Sequence, residues 1–177
     1  MKAYCIAILA MCVLAQARAA EQTKQDAASL LDERVSHASP NFSIQPPKGW
    51  KKRGATATNM VSYDIPTATE LLFSGFTVTT WKTKDEQFNP YIANVLKAFT
   101  DPEYKGELAD KSEVKCGAVS GRRMVISFPK GRFAKVPGVL TIVVFDNGLR
   151  LDYRVPADNY VSLKPGIEAS IQSFKGE

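Results

Sequence analysis

The sequence predicts an α+β fold, in which an antiparallel β-sheet of five to seven strands is flanked by helices. Several short stretches are rich in β-branched and aromatic residues and are bounded by turn-forming residues, which is typical of strands. Asn147-Gly148 separates two of these stretches, and this dipeptide favours the tight turn of a β-hairpin. Residues 89–99 and 165–174 instead carry apolar side chains at helical spacing.

The first twenty residues have the pattern of a secretory signal peptide. The positive charge of Lys2 precedes an uncharged apolar stretch, residues 3–14, and small residues at positions 17 and 19 fit a signal-peptidase site. The apolar stretch is shorter than the roughly 20 residues that a membrane-spanning helix needs. We therefore expect residues 1–19 to be removed by cleavage near Ala19 or Ala20, and the protein to be periplasmic or, as an alternative, secreted.

Cysteine use indicates a domain without disulfides. Cys5 and Cys12 would leave with the signal peptide, and Cys116 alone cannot form an internal disulfide. Met11 disfavours the alternative of a lipid anchor at Cys12, because a lipidated cysteine normally follows a small residue. The thiol of Cys116 is either reactive or buried as a small apolar group, and free cysteines are more often buried.

Charge and length indicate one ordinary domain. The net charge is +5 for the whole chain and falls to +3 when Lys2 and Arg18 are removed, which does not point to a nucleic-acid partner. Residues 20–40 are predicted to be a polar leader, with a short helix over residues 27–36 as its folded alternative. Residues 41–177 are expected to form a single α+β domain.

The first half of this domain is predicted to consist of strands. They cover residues 41–44, 60–65 and 71–82, and a turn at residues 47–50 follows the first strand. The stretch at residues 71–82 has apolar side chains on both faces. A strand of this kind is covered on both faces of its sheet.

The second half begins with a helix and continues with hairpins. Asn89 is the predicted N-cap, with Pro90 at the first helical position, and residues 100–102 end the helix. The predicted strands that follow cover residues 107–116, 122–128, 139–145 and 149–155, with turns at residues 117–121 and 146–148.

The last strand and the terminal helix complete the prediction. In the strand, every second residue from Leu149 is apolar and is expected to face the core, while Arg150, Asp152 and Arg154 are expected to face solvent. The terminal helix is predicted to begin at about Pro165.

Two short motifs stand at the ends of the domain. They are Phe42-x-Ile44-x-x-Pro47-x-Gly49-Trp50 and Ile171-Gln172-Ser173-Phe174. Together they resemble the opening strand and the last helix of the Mog1/PsbP-like family, over about residues 41–175. The resemblance implies an α/β/α sandwich and, since family members are mostly binding proteins, a binding function. Trp50 would then cover the sheet as a lid, and Phe174 would fix the terminal helix to it.

The residues needed for common catalytic sites are missing. His37 is the only histidine and lies before the domain, which disfavours a serine or cysteine nucleophile with a histidine base. A lone histidine and one cysteine do not make a zinc site, and the sequence has no phosphate-binding glycine loop. We therefore expect no metal and no cofactor.

Carboxylates are the remaining route to catalysis. The candidates are Asp64, Glu70, Asp85, Glu86 and Asp152. They are scattered along the chain, and no spacing suggests the convergent geometry that a site needs. We expect the protein not to be an enzyme, and an enzyme that uses carboxylates in a pocket is the alternative.

Two basic groups are the candidate partner-binding residues. The first is Lys51, Lys52 and Arg53, and the second comprises Arg132, Phe133, Lys135 and Val136 within the loop of residues 130–138. An aromatic side chain beside an arginine is typical of interface centres. The alternative is a solvated loop in which Phe133 packs on its own hairpin.

These features predict a non-enzymatic, exported module that binds a protein. Its positive groups favour an acidic partner, and an inhibitor or immunity protein for a toxin is one form of this function. The alternative is an accessory factor of the cell envelope that contacts an anionic membrane surface or a membrane complex. The sequence does not indicate whether the two basic groups lie close together.

Overall fold

The computed structural model describes residues 26–56, 59–66, 74–81, 87–130 and 136–176. The predicted signal peptide lies outside these ranges. One helical turn at residues 26–29 comes first. The elements that follow are β1 (Val35–Ala38), β2 (Asn41–Ile44), β3 (Lys51–Arg53), β4 (Val61–Asp64), β5 (Gly75–Thr80), α1 (Phe88–Phe99), β6 (Glu107–Cys116), β7 (Val119–Phe128), β8 (Gly138–Phe145), β9 (Leu149–Pro156), α2 (Ala157–Gln172) and β10 (Lys175–Gly176).

Seven strands form the main sheet in the order β3-β4-β5-β9-β8-β7-β6, and every neighbouring pair is antiparallel. This confirms the predicted α+β class and the upper end of the predicted strand number. Strands β6 to β9 follow one another through hairpins. The turn before β7 is shorter than the predicted residues 117–121, because Gly117 adopts a φ of 62° and lets the chain reverse within two residues.

A second sheet of three strands, β1-β2-β10, was not predicted. β2 lies at its centre, where Val35 pairs with Ile44 and Gly176 pairs with Phe42. The alternative of a short helix over residues 27–36 is therefore wrong beyond residue 29, and the end of the predicted polar leader forms β1 instead. Pairing with β2 satisfies the backbone of β1, and Val35 packs against the core from there.

One face of the main sheet carries α2 and the small sheet. Trp50 is 5% exposed, and its ring centroid lies 6.2 Å from that of Phe76, so it covers the sheet as expected. Phe174 stacks on Phe145 with a centroid distance of 4.3 Å, which fixes the end of α2 to the sheet.

The terminal helix begins at Ala157 rather than near Pro165, which lies inside it. The missed signal is an apolar spacing of three to four residues that starts earlier: Ala157, Tyr160 and Leu163 pack against the same core as Ile167. The helix therefore lies across the sheet for more turns than predicted.

Helix α1 covers the opposite face of the sheet. Ile92 and Val95 of this helix pack in one cluster with Trp81, whose indole N–H donates to the carbonyl of Phe145 at 2.8 Å. The prediction that the central strands are covered on both faces is confirmed for β5, in which Gly75 to Val78 are all buried. The rest of the predicted strand, residues 71–73 and 82, lies outside the described residues.

The start of α1 differs from the prediction. Gln87, not Asn89, is the N-cap, and Tyr91 N–H donates to its carbonyl at 3.0 Å. Pro90 lies in the first turn, where a missing N–H leaves no helical hydrogen bond unmade.

Candidate functional site

The first predicted basic group forms an edge of the main sheet. Lys51, Lys52 and Arg53 make up the whole of β3, and all three are exposed. Arg53 forms an ion pair with Asp64 on the neighbouring strand, with 2.5 Å between the guanidinium and the carboxylate. The two lysines therefore contribute most of the uncompensated positive charge of this edge.

The second predicted group lies in the connection between β7 and β8. Arg132, Phe133 and Lys135 are outside the described residues, whereas Val136 is described and half-buried. The described neighbour Lys130 is exposed at the same connection.

The register shows how far Lys51 lies from the start of β8. Lys51 pairs with Asp64, Asp64 with Gly75, Gly75 with Arg154, and Arg154 with Leu140. Lys51 and the start of β8 are thus at the same end of the sheet, four strand spacings apart, or roughly 19 Å. The first basic group is therefore not adjacent to the start of β8.

A groove runs between the small sheet and the edge of the main sheet. Its volume is about 460 Å³. Its lining residues are Val35, Ser36 and His37 of β1, together with Lys52, Arg53, Gly54, Ala55, Met60, Val61 and Ser62 around β3 and β4. Two residues of the first predicted basic group, Lys52 and Arg53, thus form part of the wall of a groove.

His37 has a packing role at this groove. Its ring stacks on Phe42 with a centroid distance of 5.2 Å, and its Nδ1 lies 3.2 Å from the carbonyl oxygen of Pro40. Lys52 supplies positive charge, and Val35 and Met60 supply apolar surface. The groove can therefore bind an acidic group that has an apolar neighbour.

The described carboxylate candidates are engaged by arginines. Asp64 pairs with Arg53, and Asp152 accepts from Arg150 Nε at 2.8 Å. Glu70, Asp85 and Glu86 lie outside the described residues. Across the described ranges, no three His, Cys, Asp or Glu side chains are grouped as metal ligands would be.

The prediction that Arg150, Asp152 and Arg154 face solvent is wrong. All three are only partly exposed, and α1 covers the part of this face that holds Arg150. Arg150 donates to the hydroxyl of Tyr91 on α1 at 3.0 Å and lies over the ring of Phe99. Burial opposes the charge of Arg150, but Asp152 and Tyr91 outweigh that effect, so the pKa of Arg150 is raised.

These charged residues belong to a polar strip on the α1 side of the sheet. One cross-strand row contains Arg53, Ser62, Thr77 and Asp152, and the adjacent row contains Lys51, Asp64, Gly75 and Arg154. The strip joins the basic edge to the covered centre of the sheet. Its sequence signal was present in the spacing Arg-x-Asp-x-Arg, which places three charges on one face of a central strand.

Cys116 is a buried group. It is 2% exposed, and its thiol donates to the carbonyl of Ile171 on α2 at 3.2 Å. Burial raises the pKa of this thiol to about 11, which suppresses the reactive thiolate at neutral pH. The interpretation of Cys116 as a small buried side chain is the correct one.

Solved structures share this arrangement of helices and sheets. The solution structure of cyanobacterial PsbP (CyanoP) from Synechocystis sp. PCC 6803 superposes with a TM-score of 0.57 at 13% identity, covering 82% of this chain and 92% of that one. The chain has a Mog1/PsbP-like fold. The Saccharomyces cerevisiae Ran-binding protein Mog1p has the same fold, with a TM-score of 0.54, 13% identity and coverage of 81% of this chain and 94% of that one.

The structural comparisons are what supports the Mog1/PsbP-like fold. No protein-family model and no curated protein matches the sequence. Within the described part of the chain, none of the helices has the length and apolar character needed to cross a bilayer.

Proposed function

We propose that the protein is an exported, non-catalytic module that binds an acidic segment of a partner protein at the groove beside β3. The observation that carries the proposal is that three consecutive exposed basic residues, Lys51 to Arg53, form the sheet edge, and that two of them, Lys52 and Arg53, line the groove. Positive charge at an edge attracts acidic partners over a distance, and the groove supplies a defined place for contact.

The fold supports a binding function. The yeast protein of the same fold is a Ran-binding protein, which makes protein recognition a use that this architecture permits. The described residues bring no histidine to a serine or cysteine, since His37 stacks on Phe42. A toxin held by an inhibitor or immunity protein is one partner that fits this proposal.

The loop between β7 and β8 is proposed as a second contact. Arg132, Phe133, Lys135 and Val136 would meet the same partner at a distance from the groove, since the strands that flank the loop end on the same side of the sheet as Lys51. A partner that reaches both contacts must extend from β3 past the start of β8, which lies roughly 19 Å from Lys51.

Export to the periplasm is part of the proposal. It rests on the signal-peptide pattern of residues 1–19, and it places the groove outside the cytoplasm. The intact mass of the protein recovered from its native envelope tests this, and a chain that retains its first nineteen residues would contradict it.

The binding proposal is tested by charge reversal at β3. Lys51→Glu/Lys52→Glu should reduce partner recovery in affinity capture from the native organism by about tenfold, since two exposed charge pairs become repulsive. The matched control is Lys111→Glu/Lys115→Glu, which reverses two exposed lysines on β6, the opposite edge of the sheet.

Three outcomes decide the proposal. A partner recovered by the wild type and the β6 control, but lost by the β3 variant and at high salt, supports it. Equal recovery by all three proteins contradicts it. Salt-sensitive binding to vesicles of anionic lipid, with no protein captured, would replace it with the alternative of an envelope factor at a membrane surface.

A further inference from the structure

Strand β1 presents a free edge of the small sheet. It is an outermost strand of that sheet, and its paired neighbour is β2. Ala38 and Asn41 pair across a two-residue turn, so these two residues exchange backbone hydrogen bonds. Hydrogen-bonded pairs alternate along an antiparallel ladder. Ser36 therefore also bonds to β2, whereas the backbone N–H and C=O groups of Val35 and His37 point away from it.

This free edge borders the groove. Val35, Ser36 and His37 line the groove, whereas none of the described residues of β2 does, so the groove lies on the side of β1 that faces away from β2. Within the described ranges, no backbone hydrogen bond outside the strand ladders engages Val35 or His37. The backbone of these two residues thus offers donors and acceptors at the wall of a cavity of about 460 Å³.

The opposite wall of the groove supplies charge and apolar surface. Lys52 is exposed, and the residue paired with it on β4 is Tyr63, so no carboxylate lies directly opposite it on that strand. Directly paired residues share a face of their sheet, and Tyr63 belongs to the core beneath the small sheet, so Lys52 lies on that same face. Met60 and Val61 add apolar surface beside it.

We propose, building on the acidic-partner function above, that the partner segment binds in extended form as a fourth strand of the small sheet, paired with β1. The four residues of β1 span about 14 Å, which a segment of about four to six residues matches. Side chains opposite Val35 and His37 would point towards the main sheet, as those two side chains do. The segment should therefore carry apolar residues at alternate positions and an acidic residue within reach of Lys52.

Hydrogen exchange of the free protein, measured for each amide by NMR and corrected for intrinsic rates, tests whether the edge is free. The amides of Ser36 and Ala38, which bond to β2, should exchange at least about tenfold more slowly than those of Val35 and His37. Equal protection of all four amides would overturn the proposal, because the edge would then already be covered within the free chain.

Peptide binding tests the added strand. The probe is a library of random peptides selected on the purified protein, and we expect selected sequences with alternate apolar residues and an acidic residue. Synthetic copies are then methylated at one backbone nitrogen at a time, and binding is measured by fluorescence polarisation. Every second methyl group replaces an N–H that faces β1 and should weaken binding by about tenfold, while the intervening ones should weaken it by less than about twofold.

Two variants separate strand pairing from the proposed function. Lys52→Glu should weaken peptide binding by about fivefold, and the matched control Lys111→Glu, on the opposite edge of the main sheet, should leave it unchanged. Weaker binding in Lys52→Glu without the alternating methyl pattern overturns strand pairing and leaves the acidic-partner function standing. The alternating pattern with equal binding by both variants supports strand pairing and contradicts the acidic partner. Selection of no peptide overturns strand pairing.

Discussion

Replacing Ser170 with alanine should remove two hydrogen bonds that connect α2 to the rest of the fold. The Ser170 hydroxyl is fully buried, donates to the carbonyl of Gln45 at 2.6 Å and lies 2.9 Å from the hydroxyl of Tyr153. A serine hydroxyl has one proton to donate, so the phenol of Tyr153 must be the donor to Ser170. Burial raises the pKa of that phenol, which keeps it protonated and able to donate.

The loss of unfolding free energy in each variant follows from the buried polar groups that it leaves without a hydrogen-bond partner. Ser170→Ala orphans the buried phenol of Tyr153 and leaves the Gln45 carbonyl only a 3.4 Å contact with Ser173, which should cost about 2–3 kcal/mol. Tyr153→Phe removes the donor and leaves the bond from Ser170 to Gln45 in place, so it should cost about 1 kcal/mol. The double variant should cost less than the sum, because no buried phenol is then left unpaired.

Urea unfolding followed by circular dichroism and tryptophan fluorescence measures these free energies. For a chain of this size, Ser170→Ala should also lower Tm by about 4–12 °C. A cost below about 0.5 kcal/mol for Ser170→Ala, or strict additivity in the double variant, would refute the proton assignment.

Two further predictions concern Gly75 and Cys116. Gly75→Ala should destabilise the protein by more than about 2 kcal/mol, because the added Cβ meets the carbonyl of Tyr63 at 1.8 Å, whereas Gly54→Ala meets nothing within 4 Å and should cost under about 0.5 kcal/mol. Equal effects in urea unfolding would contradict this. Cys116 should resist thiol reagents at pH 8 until urea unfolds the chain, since its pKa is raised to about 11. Folding favours the protonated thiol, so this contribution to stability is complete below pH 9 and is lost as the pH rises towards 11; rapid labelling of native Cys116, read by mass spectrometry, would contradict the prediction.

Local chemistry predicted the strands better than it predicted what covers them. The bounds of β2 and β6 match the predicted residues 41–44 and 107–116, because turn residues border both stretches. Residues 149–155 were also predicted as a strand. Charged and apolar residues alternate in the same way whether the charged face of a strand meets solvent or a helix, so the pattern does not distinguish the two cases. The cover supplied by α1 comes from residues about sixty positions earlier, and no local pattern indicates that contact.

The candidate site was likewise predictable from the sequence only in part. The exposure of Lys51 to Arg53 agrees with their composition. The groove beside them could not be predicted, because its other wall is β1, which comes from a stretch with the polarity of a leader. The partial burial of Arg154 was equally hidden, because it becomes visible only when the neighbouring strands are placed beside it.

The pairing of β10 with β2 has a consequence for the order of folding. Strands β6 to β9 meet neighbours that are close in sequence, so their loops close at low entropic cost and this meander should form first. Gly176 instead meets Phe42, more than 130 residues away. The small sheet is therefore expected to assemble late, and pulsed hydrogen exchange during refolding should find protection of β2 lagging behind that of β8.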